Sequence, residues 1–198
     1  MQILTEEFFA GEVVDTARNL LGKRLVRQVD GKRVSGIILE TEAYRGEEDL
    51  ACHARSGLTA RNSMLFGKPG RAYIYFVYGM HWLFNAVCGA EGFPAAVLVR
   101  ALQPDEGLEI ISSRREGIKP ADWCNGPARL CKALDITGAL NGAVLFDGEG
   151  SIKIEDAHDV CDDKVRTTPR VGIQYAPEPW RSMPWRFVTD PSMDVTSL

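Results

Sequence analysis

Ahead of Gly22 the apolar positions follow a helical period. Thr5 followed by Glu6 and Glu7 marks a helix start, Val13, Val14, Ala17, Leu20 and Leu21 recur at helical spacing, and Gly22 supplies a stop. The pattern then turns β-like. Two β-rich runs in "KRLVRQVDGKRVSGIILETEAY" flank Asp30-Gly31, a strong hairpin signal. On a strand, Glu40, Glu42 and Tyr44 share one face while Leu39, Thr41 and Ala43 take the other.

Residues 55–70 carry Gly57, Gly67, Pro69 and Gly70 among polar residues and read as a long ordered loop. "RAYIYFVYGMHWLFNAVCG" reads as two strands joined around Gly79-Met80. "AAVLVRAL" is an apolar strand interrupted by Arg100. Pro104 and Pro127 each open a helix, the first through Glu116 and the second through about Leu134. "SIKIED", "RVGIQYA" and "WRFVTD" read as short strands, with "LNGAVLFDGEGS" and "YAPEPWRSMP" as loops. Hairpin-connected strands without regularly alternating helices predict a mixed α+β fold on a largely antiparallel sheet. With 198 residues and no linker, one domain spanning 1–198 is expected.

Composition adds limits. The N-terminus shows no basic region followed by an apolar core, and no run reaches the roughly 18 apolar residues of a membrane span. The five cysteines form no C-x-x-C pair, which suggests reduced thiols and a cytoplasmic setting. Cys52-His53 resembles a metal pair, but the remaining histidines, His81 and His158, lack ligand spacing, so no metal is expected. The net charge of −4 argues mildly against nucleic acid. Seven of the acids lie between Asp147 and Asp163, and outside that stretch 22 basic residues face 20 acidic ones. Three basic clusters stand out: Lys23, Arg24, Arg27, Lys32 and Arg33; Arg55, Arg61, Lys68 and Arg71; Lys164, Arg166 and Arg170.

Glu42 follows apolar Ile37, Ile38 and Leu39, where burial can tune a carboxylate into a base. A strand-end glutamate facing water fits the spacing as well. Glu40 and Glu42 cannot flank a scissile bond from opposite sides, so at most one is catalytic. Arg100 in an apolar strand requires a partner or a ligand, an ion pair with Glu40 or Glu42 being the simplest. Tyr73 and Tyr75 share a strand face and Tyr78 falls at the hairpin tip. They are either core residues or stacking platforms with an exposed wedge. Asn125-Gly126-Pro127 offers a weak phosphate site at a helix N-terminus.

"ETEAY" (40–44), "EDLACH" (48–53), "RN" (61–62), "KPG" (68–70), "YIYFVYGM" (73–80) with Asn85, "VLVRALQP" (97–104), "NGPARLCKAL" (125–134), "RVGI" and the later "RF" occur in one order across nearly the whole chain. In this combination the sequence resembles the mammalian-type alkyladenine (3-methyladenine) DNA glycosylases. The resemblance implies a compact domain on a curved antiparallel sheet, with a β-hairpin that enters the DNA minor groove. It implies hydrolysis of the N-glycosidic bond of alkylated or deaminated purines in double-stranded DNA, by a monomer without a cofactor and without a lyase step. It assigns Glu42 as general base, Arg100 and the Val171 carbonyl as holders of the water, and Tyr44, His53 and Tyr75 as the pocket for the flipped base. Asn85 becomes the purine filter on the pocket floor, and Tyr78, with Met80 at the tip, fills the gap in the duplex. Two other classes remain open on residues alone. A non-catalytic nucleic-acid binder would not need Glu42, and a nucleoside hydrolase acting on free small molecules would not need Tyr78.

Overall fold

The longest strand organises the molecule. In the computed structural model, which describes residues 2–190, the chain begins with two short helices, α1 (Glu6–Ala10) and α2 (Val13–Asn19). The single helix expected here is broken at Gly11, whose backbone is extended, and Glu12 restarts it by accepting the Val14 amide at 2.6 Å. Strands β1 (Arg24–Val29) and β2 (Lys32–Arg45) form the expected hairpin. Asp30 and Gly31 both take positive φ, 51° and 72°, as a tight hairpin turn demands.

β3 (Ala72–Val77) and β4 (His81–Val87) form the second hairpin, and β5 (Ala95–Glu106) returns along β2. β5 runs further than the sequence pattern predicts, and the helix expected at Pro104 starts only at α3 (Leu108–Arg114). Pro104 pairs with Gly36 beside a register shift, where a missing amide is tolerated. The Ser35 hydroxyl lies 2.5 Å from Asp105 and 2.8 Å from Glu106, and Arg24 and Arg33 hold the same carboxylates, so this end stays extended. α4 (Pro127–Leu134) forms as expected. β6 (Ile152–Glu155), β7 (Arg166–Thr168) and β8 (Arg186–Val188) complete the sheet. β7 is too short and polar to announce itself. "RVGIQYA" is not a strand: it folds as turns, with Gly172 at φ 79° and the Arg170 side chain drawn fully inside.

The sheet is antiparallel throughout, in the order β3-β4-β5-β2-β1-β6, with β8 joining β2 and β7. β2 pairs with β1 as far as Ile37 and with β8 from Glu40, and its register against β5 shifts on both sides of Glu40. That irregularity lets one strand serve two neighbours as the sheet curls. One face buries Phe9, Leu20, Leu21, Ile38, Phe84, Leu130 and Leu134 in an α+β core. Thr41 belongs to this face, its hydroxyl donating to the Ala17 carbonyl of α2 at 2.7 Å. The other face carries the candidate site. Among the described residues no helix is long and apolar enough to cross a membrane.

Candidate active site

Cross-strand register brings the expected residues together. Tyr73 pairs with Asn85, Asn85 with Leu98, Leu98 with Glu42, and Glu42 with Arg186, forming one row across β3, β4, β5, β2 and β8. Residues in such a row point to the same face, at about 4.8 Å per strand. Above the row lies a cavity of about 500 Å³, lined among others by Tyr44, His53, Tyr75, Asn85, Arg100 and Val171. Tyr78 and His81 from the hairpin and Gly126–Arg129 from the start of α4 stand at its border.

Glu42 is fully buried just behind this wall. Its Oε1 accepts the Val171 amide at 2.7 Å, and its Oε2 accepts the Tyr44 hydroxyl at 2.8 Å and lies 3.3 Å from Arg100 Nη1. The Tyr44 bond confirms the shared strand face. Val171 meets the carboxylate through its amide. Burial pushes the Glu42 pKa up; Arg100, the Val171 amide and Tyr44 pull it back, and the net displacement is upward. A carboxylate held this way is a stronger base than one in water. Arg100 also donates through Nε to Glu40 Oε1 at 2.6 Å, so the ion pair expected from the sequence forms with both glutamates.

The ring cluster is built around β3. His53 packs edge-on to Tyr75 with centroids 4.5 Å apart, and its Nδ1 lies 3.0 Å from the Tyr73 hydroxyl. Partial desolvation, then Arg61 and Arg55, lower the His53 pKa from its ordinary value, although the residue keeps an exposed edge. Asn85 is buried on the floor, its Nδ2 donating to the Tyr73 carbonyl at 3.0 Å. The bond satisfies a backbone group and also fixes the amide in place. Replacing Asn85 with Ser would remove this fixed amide and open the floor of the cavity.

The hairpin tip is strained and open. Tyr78 sits at φ 54° and is 88% exposed, next to Gly79 at φ 65°. A non-glycine residue in the left-handed region costs about 1–2 kcal/mol. Among the described residues little packs against this ring, which marks the tip as a functional candidate. Met80 beside it is also exposed.

Asp49, and Arg170 of the third basic cluster, also belong to the site. Asp49 and Arg170, both fully buried, form a two-pronged ion pair at 2.5 and 2.9 Å. The Arg170 guanidinium lies 4.8 Å from the Tyr44 ring and 5.1 Å from the Trp185 ring, and Nη1 donates to the Ala43 carbonyl at 2.9 Å. This pair braces Tyr44 from behind and carries the following residue, Val171, onto Glu42. Arg186 donates to Glu40 Oε1 at 2.7 Å. The motifs "EDLACH" and "RVGI" contain Asp49 and Arg170, but only a buried position reveals that they pair.

The charge distribution also resolves. In the first basic cluster Lys23 is bound by Asp156 and Asp159, Arg24 by Asp105, and Arg33 by Glu106 and Glu155. β6, which carries part of the acidic stretch, is the sheet edge opposite the β3–β4 hairpin. Arg55 and Arg61, by contrast, are exposed beside His53, where they bind the Leu50 and Phe76 carbonyls.

A buried, ion-paired carboxylate thus lies beside a ring-lined cavity, with a protruding aromatic tip at the border. The sequence model described as methylpurine-DNA glycosylase matches residues 7–193, and the chain belongs to that family. It is 47% identical to a protein of Methanocella arvoryzae over 94% of this chain and 92% of that one. It is 44% identical to one of Chlamydia felis (94% and 95%) and 42% identical to one of Carboxydothermus hydrogenoformans (93% and 94%). The names of all three assign them, provisionally, as 3-methyladenine DNA glycosylases.

Proposed function

We propose that the protein is a monofunctional DNA glycosylase that flips an alkylated or deaminated purine out of duplex DNA and hydrolyses its N-glycosidic bond. The observation that carries this reading is the arrangement of Glu42. Its carboxylate is buried with an elevated pKa, ion-paired to Arg100, and placed beside a cavity lined by Tyr44, His53 and Tyr75. Extruding a base costs a few kcal/mol, least where pairing is already weak. Neutral aromatic faces accept any purine, and a cationic alkylpurine best. As the C1′–N bond lengthens, its electron pair moves onto the purine and positive charge builds on the sugar, which the Glu42 carboxylate stabilises. Glu42 takes a proton from water while the water oxygen bonds to C1′. An alkylated cation leaves as a neutral base and the proton on Glu42 passes to solvent, whereas hypoxanthine leaves as an anion and takes one proton from solvent, so that the two protons balance. Water is the nucleophile, so no Schiff-base lysine is required.

The exposed tip favours DNA over free nucleosides as substrate. Tyr78→Ala is expected to lower excision about tenfold or more in duplex DNA and far less in single strands, because only a duplex leaves a stacking gap to fill. Equal losses on both substrates rule out a wedge. The reading as a whole is tested by offering the protein a hypoxanthine-containing duplex and free inosine side by side, with released hypoxanthine measured by chromatography. Release from DNA alone supports it. Release from inosine alone makes the protein a nucleoside hydrolase, and binding without release makes it a DNA-binding module.

A further inference from the structure

The mechanism above leaves Glu40 without a task, although it is one of the best-connected carboxylates in the site. Its Oε1 accepts Arg100 Nε at 2.6 Å and Arg186 Nε at 2.7 Å, and Arg186 Nη1 is itself anchored on the Thr168 hydroxyl at 3.0 Å. Arg100 therefore spends its shortest contact on Glu40 and reaches Glu42 only through Nη1, at 3.3 Å. An unconstrained arginine facing a carboxylate closes to a fork with two bonds of about 2.7–2.9 Å. Asp49 and Arg170 form that fork close by, at 2.5 and 2.9 Å.

We propose that Glu40 is a positioning residue: anchored by Arg186 and Thr168, it holds Arg100 off a two-pronged pair with Glu42. This rests on the reading of Glu42 as the base. A fork on Glu42 would occupy the lone pairs that must receive the proton from water and would weaken the base. The register shifts on both sides of Glu40 leave Leu39 of β2 and Arg100 of β5 out of the β2–β5 pairing, and there Glu40 reaches both arginines while Glu42 and Tyr44 keep their shared face. Charge balances within the group, Glu40 and Glu42 against Arg100 and Arg186. The other groups around Glu42 are Tyr44 on β2, Tyr75 on β3, the Val171 amide and, opposite it on β8, Arg186, which Glu40 and the Thr168 hydroxyl hold in place. On the opposite face of β2, Thr41 is turned away from the site and donates to the Ala17 carbonyl of α2.

The test is Glu40→Gln in the full chain, read in two ways. The pH dependence of single-turnover hypoxanthine excision reports the working base, and the carbon-13 carboxyl shift of Glu42 reports its protonation without requiring activity. With the Glu40 charge gone and Arg100 released, Arg100 closes on Glu42. The acidic limb and the Glu42 titration are then expected to move down by about one unit, and the plateau rate to fall about tenfold. Glu40→Asp keeps the charge but withdraws it by one methylene, and is expected to shift both in the same direction by less. It also serves if the amide variant does not fold. An unmoved or upward-moved titration in either folded variant overturns the proposal. Full excision by Glu42→Gln would instead overturn the reading of the base, a separate result.

Discussion

Glu42→Gln is expected to lower base excision by about 10²–10⁴-fold, the range a positioned general base supplies. The substitution is nearly isosteric. An amide oxygen can still accept from the Val171 amide, which now lies at 2.7 Å from Oε1, so the pocket wall stays in place. Lost are the negative charge that answers Arg100 and the site that accepts a proton. Binding of lesion DNA should therefore change little, because the rings, the hairpin tip and the exposed Arg55 and Arg61 are untouched. Electrophoretic binding and single-turnover kinetics on the same duplex separate the two effects. Excision within about threefold of wild type would remove Glu42 from the chemistry, since a general base contributes about 10²-fold at least.

Asp49→Ala is expected to be the most damaging substitution to stability. Breaking a buried ion pair by deleting one partner costs about 3–5 kcal/mol, because the other charge stays buried without compensation. The left-behind charge is Arg170, fully buried between Tyr44 and Trp185. For a chain of this size, about 2–4 °C per kcal/mol gives a fall in Tm of roughly 6–20 °C. Asp49 also accepts the Ala51 amide at 3.0 Å and the Arg45 amide at 3.2 Å, so the turn leaving β2 should loosen too. Thermal and urea unfolding measure the effect. A loss below about 1 kcal/mol would place this contact with surface pairs, which are worth that little.

Local pattern carried much of this architecture. Asp30-Gly31 announced the first hairpin because its turn needs positive φ at both central positions, and Gly79 did much the same for the second. Strand alternation alone placed Glu42 and Tyr44 together, and their hydrogen bond bears that out. The readings that failed depended on tertiary partners. Pro104 signals a helix start, but Ser35, Arg24 and Arg33 hold its neighbours in a strand. The "RVGIQYA" run looks like a strand, yet Arg170 turns inward to a carboxylate more than a hundred residues away. The break at Gly11 follows from Glu12 capping a new helix, a choice the helical period conceals. For the site, the residues with a motif signature were legible. Their support, Asp49 with Arg170 and Arg186 with Thr168, was not, because pairing across distant strands leaves no mark in local spacing.

The proposed removal of a damaged purine by means of Glu42 is tested with a duplex carrying one hypoxanthine, incubated with the wild type and with Glu42→Gln, then treated with hot alkali to cut any abasic site. The expected result is a single cut at the lesion by the wild type and almost none by the variant over the same time. Intact DNA after wild-type treatment, or equal cutting by both proteins, would contradict it.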